Sequence, residues 1–250
     1  MITDSISSLQ NLTLCGRKVI SWSKPIRVEH LTYKAEKNHQ TQTEVLLATV
    51  SDCLLNFFKA AKKETEELPA SIQVNYRSVP YEYLFGTKSN KNGLLCLKLP
   101  VQEVSVKQMI GIHEEIEETR KRQVVPYLIS LLQVKYDMIT NMLPAVLLKV
   151  IINFLSQKFS VTFTEVLEFN MPELAEYVTL WNGEIEDVLY FRTPQANNSL
   201  SLTIQRFKNQ IRLLVMCDKQ INPLQFHLSD SFCKSFDQIP QLKTSAVKLL

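Results

Sequence analysis

The stretch NSLSLTIQRFKNQIRLLVMCDK, residues 198–219, indicates the fold class of this 250-residue chain. Two apolar runs, 200–204 and 211–215, lie on either side of the polar pair Lys208-Asn209. Within each run most apolar residues alternate with polar ones, and this period of two beside a short link is typical of a β-hairpin with one buried face. The hairpin carries no set of side chains that could do chemistry. We therefore expect the hairpin to be a structural part of a larger β-sheet.

Upstream of the hairpin, strand-like and helix-like segments alternate. β-prone runs predict strands over 18–22, 70–77, 93–99, 160–166 and 185–191. Apolar residues at helical spacing predict helices over 41–62, 105–116, 128–136 and 145–155. This alternation predicts an α/β fold with a mixed β-sheet and flanking helices.

Two helix starts carry capping signals. Thr41-Gln42-Thr43-Glu44 has the form of a capping box, with a hydroxyl first and a carboxylate three residues later. Ser105 and Gln108 repeat that spacing ahead of the second helix. Both helices are therefore expected to begin at these positions.

Composition and charge exclude several classes of protein. The net charge is only +3, from 28 basic and 25 acidic residues that are scattered along the chain, so no nucleic-acid partner is expected. The five cysteines include no Cys-x-x-Cys pair, which favours free thiols and argues against a metal site. The five glycines do not cluster, which excludes a P-loop or dinucleotide-binding loop.

Membrane-related signals are weak. The first residues show no basic segment followed by an apolar run, so no signal peptide is predicted. The longest apolar stretch, 142–155, is shorter than the roughly 20 residues that a transmembrane helix needs. A buried core helix is the simpler interpretation of this stretch. An interfacial helix that touches a membrane or a lipid is the alternative.

No catalytic constellation is visible in the residues alone. The four histidines are not adjacent to one another, and there is no Gly-x-Ser-x-Gly elbow. His113 has Glu117 four residues later, which predicts a hydrogen-bonded histidine at the edge of the core more readily than a metal ligand. Glu118 and Arg122 have the spacing of an ion pair on a solvated helix face. We therefore predict no catalytic residue and no metal ligand in this chain.

Several motifs resemble one family in order and spacing. The segment ISWSKPIRVEHLTYKAEKNHQTQTEVLLATVSDCL, 20–54, is similar to a strand and extended crossover leading into a helix with a Thr-Val-Asn-Asp-Val-like start. SIQVNYR, NKNGLLCLKLP, FNMPEL and NGEIEDVLYFRTP then follow in the same order as their counterparts in the wax ester synthase/diacylglycerol acyltransferase family. The motif positions, which the resemblance makes structural or tunnel-lining, are Thr43, Glu44, Arg77, Gly93, Pro100, Asn170, Pro172 and Gly183.

The resemblance implies a fold and an activity. The fold is the second half of a two-part, CoA-dependent acyltransferase-like architecture, with residues 1–68 as the crossover segment and helix from the end of the first half and 69–250 as the C-terminal domain. The family transfers a fatty acyl group from acyl-CoA, a substrate and not a bound cofactor, to diacylglycerol or a long-chain alcohol. The implied location is membrane-associated, on the cytosolic face of the endoplasmic reticulum or plasma membrane, with peripheral contact to the membrane.

One family motif is missing. No His-His-x-x-x-Asp-Gly sequence occurs in the chain, so the resemblance implies that it is inactive without a first half, supplied in cis or in trans. Three interpretations stay open: a fragment of a full enzyme, a short form that lends its half to a partner chain, and a non-catalytic lipid- or protein-binding relative. If a first half is absent, the 142–155 segment and parts of the hairpin are expected to expose apolar side chains.

Overall fold

The computed structural model describes residues 14–61, 68–80, 94–122, 159–167, 179–180, 183–194 and 198–240, and the single positions 144, 146 and 150. The strands in these ranges are β1 Lys18–Trp22, β2 Ile26–Arg27, β3 Ser71–Pro80, β4 Leu94–Pro100, β5 Val161–Leu167, β6 Thr179–Leu180, β7 Gly183–Glu184, β8 Leu200–Phe207 and β9 Gln210–Asp218. The helices are α1 Val28–Lys37, α2 Gln42–Ala61, α3 Val106–Arg122 and α4 Gln225–Asp237, and a 3₁₀ turn covers Lys219–Ile221.

The main sheet has seven strands in the order β1-β9-β8-β5-β3-β4, with β2 paired beside β1 on β9. The central pairs β3–β5 and β5–β8 are parallel, whereas the outer pairs are antiparallel. The predicted α/β class with a mixed sheet is confirmed. β6 and β7 form a separate two-stranded ribbon.

The hairpin predicted from 198–219 is confirmed as β8 and β9. Leu202 pairs with Val215 and Ile204 with Leu213, as alternation about a two-residue link requires. The link places Lys208 at a φ of 49°, in the left-handed region. All four of the paired side chains are at least 98% buried, so the expectation that the hairpin exposes apolar surface is wrong for them. They lie under helices of the same chain.

Four helices cover one face of the sheet. α2 is apolar on most of its circumference and is buried over nearly its whole length, because it contacts α1, α3 and α4 as well as the sheet. Leu47, Leu54 and Phe57 of this helix are among the largest fully buried side chains in the core. β1 and β2 join β9, so residues before 68 and after 69 contribute to one sheet. The division of the chain at residue 68 stays a prediction.

Two segments differ from what the sequence led us to expect. Residues 28–37 are the helix α1 and not an extended crossover, because Val28, Leu31 and Ala35 share one buried face. Residues 185–191 form no strand, and regular pairing there is confined to β7. The backbone of this segment bonds a side chain instead, since Tyr190 N–H donates to Oε1 of Gln205 at 2.6 Å.

The other face of the sheet is polar and also buried. Thr162 and Thr164 of β5 and Ser201 and Thr203 of β8 are each at least 98% buried. Arg192 Nη1 donates to Thr164 Oγ1 at 2.9 Å, which holds the 185–194 segment across this face. A sheet with an apolar side under helices and a hydroxyl-lined side under a loop segment is thus the frame for any site.

The predicted helix 128–136 lies outside the described residues, as does 145–155 except for Val146 and Val150. These two valines are helical, and their side chains are 75% and 59% exposed. At these two positions the structure agrees with the expectation that the segment exposes apolar side chains. Among the described residues, no helix is both long and apolar enough to cross a membrane.

Candidate functional site

The first turn of α2 gathers the polar groups of the candidate site. Thr41 and Glu44 form the predicted capping box in full: the Glu44 N–H donates to Thr41 Oγ1 at 3.2 Å, and the Thr41 N–H donates to Glu44 Oε2 at 2.9 Å. This reciprocal pair satisfies two backbone donors that a helix start would otherwise leave open. It fixes where α2 begins and which way its second and third residues point.

Thr43 points from this turn to a buried acid on the sheet. Its hydroxyl donates to Glu165 of β5, at 3.0 Å from Oε2 and 3.2 Å from Oε1. The Tyr76 hydroxyl on β3 donates to the same Oε2 at 2.5 Å, and its ring stacks on Phe163 with centroids 5.6 Å apart. One carboxyl group thereby joins α2 to β3 and β5, two of the three parallel strands.

Glu165 is 4% exposed and has no basic partner among the described residues. Burial, which disfavours the charged carboxylate, raises its pKa above the usual 4.5, while the hydrogen bonds from Tyr76 and Thr43 oppose the rise. A carboxyl group in such surroundings can hold a proton at a pH where an exposed glutamate would be ionised.

Glu44 also reaches the neighbouring helix. Its Oε1 lies 2.8 Å from Nδ1 of His113 on α3, so the predicted partner Glu117 is not the residue that Nδ1 reaches. The Glu44 side chain is 5% exposed and the His113 side chain 56%, so the contact joins a buried carboxylate to a histidine at the surface. Glu118 and Arg122 do form the predicted surface pair on the same helix.

Each carboxylate oxygen of Glu44 and Glu165 has a hydrogen-bond partner in the site. Glu44 uses one oxygen for the capping box and the other for His113, and Glu165 accepts from two hydroxyls. A carboxylate that orients one nitrogen of an imidazole is the geometry that a general base uses. In the described part of the chain, no group of three or more His, Cys, Asp or Glu side chains could hold a metal ion.

The positions singled out by sequence are distributed over several places. Thr43 and Glu44 lie in the group of contacts that they form with Tyr76, His113 and Glu165, here named the Thr43 cluster. Arg77 lies in β3 with its backbone opposite Thr164 of β5, and Gly183 begins β7, the second strand of the small ribbon, at an exposed position. Positions outside the described residues are Gly93, Asn170 and Pro172, together with the side chain of Arg77.

Pro100 closes β4 and takes part in a second polar network on α2. Its carbonyl accepts a short hydrogen bond from Ser51, and the Ser51 hydroxyl accepts one from Gln108 Nε2 at 2.5 Å. The Gln108 N–H donates to Ser105 Oγ at 3.1 Å, which confirms the predicted cap of α3. Pro100 is therefore placed among contacts that hold the helices on the sheet, and not in the Thr43 cluster.

Sequence reasoning missed Glu165 and Tyr76 as members of the site. Both stand in β-prone runs, where a single polar residue is read as a solvent-facing position of an alternating strand. The available signal was the phase of the strand: Glu165 shares the phase of Val161 and Phe163, which marks the face under the helices.

Comparison with known proteins extends the interpretation. A family model described as the WS/DGAT C-terminal domain matches residues 88–240. A comparison with curated proteins gave no match. Among solved structures, the wax ester synthase/diacylglycerol acyltransferase from Marinobacter aquaeolei VT8 is similar, with a TM-score of 0.59, 15% identity, and coverage of 92% of this chain and 50% of that chain.

Two further solved structures share the fold, one of them from a nonribosomal peptide synthetase. The epimerization domain from the third module of tyrocidine synthetase B has a TM-score of 0.53 at 13% identity, covering 89% of this chain and 47% of that chain. The synthetase FmoA3, in its α-methyl-L-serine-AMP bound form, also has a TM-score of 0.53 at 13% identity and covers 89% and 23%. The fold is thus the CoA-dependent acyltransferase, or condensation-like, fold.

This chain spans about half the length of the solved wax ester synthase that it resembles. Identities of 13–15% to solved structures establish the shared fold and nothing finer. The family model, by contrast, covers more than half of the 250 residues. This chain therefore belongs to the wax ester synthase/diacylglycerol acyltransferase (WS/DGAT) family and carries its C-terminal domain.

Proposed function

We propose that this chain serves an O-acyltransferase that moves a fatty acyl group from acyl-CoA to diacylglycerol or a long-chain alcohol. The observation that carries the proposal is the match of the WS/DGAT C-terminal domain over residues 88–240. The solved Marinobacter structure that shares this fold is itself named a wax ester synthase/diacylglycerol acyltransferase, which is consistent with the family model. In this proposal acyl-CoA is a substrate, and no cofactor stays bound.

The proposed reaction needs a base to take the proton from the acceptor hydroxyl as the oxygen attacks the thioester carbon. The chain has four histidines and no His-His pair, so the base of the resembled motif has no counterpart in these 250 residues. We therefore assign the chain a supporting role, with a first half supplied in cis or in trans. On its own the chain does not transfer acyl groups.

The alternative is a non-catalytic relative that binds lipid or protein. One observation favours keeping it: Thr43 and Glu44 stand where the resembled family has an Asn-Asp pair, and both are engaged in contacts that hold the fold. In these contacts the single hydroxyl donor of Thr43 and both carboxylate oxygens of Glu44 already have partners within the fold. Their substitution is compatible with a scaffold that has kept the fold and lost the reaction.

An acyl-transfer assay distinguishes these roles. The purified chain is incubated with radiolabelled acyl-CoA and either diacylglycerol or a long-chain alcohol, alone and together with a family first half that contains the His-His motif. We expect no product from the chain alone and product from the combination. Product from neither mixture, although the two halves form a stable complex, would favour the non-catalytic relative.

A histidine variant provides the control for the incubation of the chain alone. The Nδ1 atom of His113 lies 2.8 Å from Oε1 of Glu44, and the His113 side chain is 56% exposed. Turnover by the chain alone that disappears in His113→Ala, but survives in His30→Ala, would identify His113 as a base and refute the supporting role. His30 is an exposed histidine on α1 and serves as the matched control.

A further inference from the structure

The strand β4 lies at one end of the seven-stranded sheet, and among the described strands it pairs with β3 alone. The Val101 N–H, directly after β4, donates to the Ala70 carbonyl at 2.9 Å, so the backbone of Val101 faces the β3 side. Because backbone groups alternate in direction along a strand, those of Cys96, Lys98 and Pro100 face away from β3. This outward row is here named the outer edge of β4.

The register of β3 gives the same direction for Lys98. Lys98 lies opposite Gln73, and the Gln73 carbonyl accepts from the Ser160 N–H at 3.0 Å, on the side where β5 begins. A residue whose carbonyl points toward β5 does not bond β4, so Gln73 and Lys98 are one of the alternate pairs that exchange no hydrogen bonds. The Lys98 N–H is therefore a donor of the outer edge.

The carboxylate of Glu115 covers this donor. The Lys98 N–H donates to Oε1 of Glu115 on α3 at 3.3 Å. Thr119, one turn further along α3 and 4% exposed, donates its hydroxyl to the same oxygen at 3.2 Å. Leu97 and Ile112 line the same small cleft as Glu115, which places α3 along the strand. Glu115 is thus held over the outer edge by its own helix.

The next outward residue offers no donor to an incoming strand. Pro100 has no backbone N–H, and its carbonyl accepts a short hydrogen bond from Ser51. Two successive outward positions, Lys98 and Pro100, therefore lack an N–H group that is open to a neighbouring strand. Edge prolines, charged side chains and a covering helix are means by which proteins prevent pairing at the edge of a sheet.

The sequence of β4 indicates which partner would pair there. Residues 94–99, LLCLKL, contain four leucines and one charged residue, with neither glycine nor proline. Short segments of this composition pair readily with identical segments of other chains. A second copy aligned antiparallel about Cys96 would set Lys98 opposite Leu94, so no like charges would oppose each other. A second β4 is therefore the strand that the outer edge fits.

We propose that Glu115 prevents two copies of this protein from pairing through β4, and that without its carboxylate the two β4 strands join antiparallel. An incoming strand must direct a backbone carbonyl at the Lys98 N–H, where Glu115 presents a negatively charged oxygen. Removing the carboxylate opens the donor and ends the repulsion. Pairing then continues one sheet through both chains.

Sedimentation velocity of variants over a range of concentrations tests the proposal. Glu115→Ala, which keeps a good helix former, should form dimers as its concentration rises, whereas the parent should not. Glu114→Ala is the matched control, because it makes the same change at an exposed neighbouring position of α3. It should sediment as the parent does.

A second substitution assigns the dimer to β4. Lys98→Pro removes the outward donor and leaves the bonds between β3 and β4 in place, since a proline is tolerated on an edge strand where its nitrogen faces outward. Added to Glu115→Ala, it should return the protein to the monomer.

Hydrogen exchange measures the cover on the edge directly. At concentrations where Glu115→Ala is monomeric, its Lys98 amide should exchange roughly tenfold faster than in the parent, the factor that one hydrogen bond of ordinary net strength supports. The Leu97 amide, which faces β3, should exchange at the same rate in both proteins. That second amide shows that the sheet itself is intact.

Three results would overturn the proposal. They are equal exchange of the Lys98 amide in Glu115→Ala and the parent, the absence of dimers in Glu115→Ala at every concentration, and dimers that persist after Lys98→Pro is added. The last result would mean that the chains meet at another surface. Neither measurement involves acyl transfer, so the outcome is independent of the proposed function.

Discussion

Thr43 and Glu165, 122 residues apart in the chain, are joined by a hydrogen bond of 3.0 Å between a hydroxyl and a buried carboxyl group. The bond ties the first turn of α2 to β5, one of the central parallel strands. The sequence resemblance matches Thr43 to a position where the family motif has an asparagine. In this protein the position is occupied by a group that holds the helix on the sheet.

The first prediction concerns Glu165→Gln. Burial raises the pKa of Glu165, so the folded state favours its protonated form, and its contribution to stability falls as the pH rises above the unfolded value of 4.5. A glutamine cannot ionise, and its one amide oxygen can accept from both hydroxyls. We expect the melting temperature of Glu165→Gln, relative to the parent, to rise with pH across the range above 4.5.

Glu165→Ala is the complementary variant. It removes the acceptor of Thr43 and Tyr76 and leaves a small cavity under α2, which should lower the free energy of unfolding by about 2–4 kcal/mol. Denaturant unfolding at neutral pH measures the loss. If alanine were tolerated as well as glutamine, the carboxyl group would not be joining α2 to the sheet.

The second prediction tests the capping box. Thr41→Ala removes the hydroxyl that accepts from the Glu44 N–H at 3.2 Å, and it should cost about 1 kcal/mol of stability. Thr41→Ser keeps the acceptor and should stay within about 0.5 kcal/mol of the parent. Urea denaturation of the two variants distinguishes a lost cap from a lost methyl group. Equal losses in both would show that the hydroxyl does not matter.

Local chemistry made part of this fold predictable. The alternation around Lys208-Asn209 predicted the β8–β9 hairpin, and the Thr41 and Ser105 capping signals predicted the starts of α2 and α3. Each of these features depends on residues close together in the sequence, where period and turn chemistry carry the information.

The features that sequence did not reveal depend on distant partners. The 185–191 run has strand-like composition, but Gln205 bonds its backbone from β8, both at Tyr190 N–H and at the Val188 carbonyl, so it crosses the sheet. The site was missed for a similar reason: Glu165 meets Thr43 only once β5 and α2 have been brought together. Contacts of this kind are set by tertiary packing, which overrides local propensity.

The third prediction concerns the end of α4. Lys34 of α1 donates to the carbonyls of Phe236 at 2.5 Å and Asp237 at 3.2 Å, and its ammonium lies 4.6 Å from the centroid of the Phe236 ring. The end of a helix leaves its last carbonyls without intrahelical donors. Lys34 adds a donor at Asp237, and at Phe236 it adds to the Ile239 N–H, which donates to that carbonyl at 3.2 Å. Lys34→Met keeps the apolar stem and removes the donor, and it should destabilise the protein by about 1 kcal/mol.

Lys37→Met is the control for that measurement. Lys37 is an exposed residue in the last turn of α1, the helix that carries Lys34, and its ammonium lies near the Tyr33 ring instead of α4. Its replacement should change the melting temperature little. Hydrogen exchange of the amides in the last turn of α4 should quicken in Lys34→Met alone, and quickening in both variants would argue against a specific role for Lys34.

The last prediction concerns acid stability and Asp218, which closes β9. Burial alone would raise the pKa of Asp218, but hydrogen bonds from the Cys15 thiol, from the N–H groups of Gln220 and Cys15, and from Lys18 lower it to about 2. A carboxylate with a lowered pKa stabilises the fold above its usual value of 3.8, and this contribution is lost as the pH falls toward about 2. Asp218→Asn should therefore melt below the parent at neutral pH, and the gap should narrow between about pH 4 and pH 2. For Lys18→Met, the gap in melting temperature from the parent should change less over this pH range, because the thiol and backbone donors to Asp218 remain. A gap that stays constant with pH would mean that Asp218 acts by shape and not by charge.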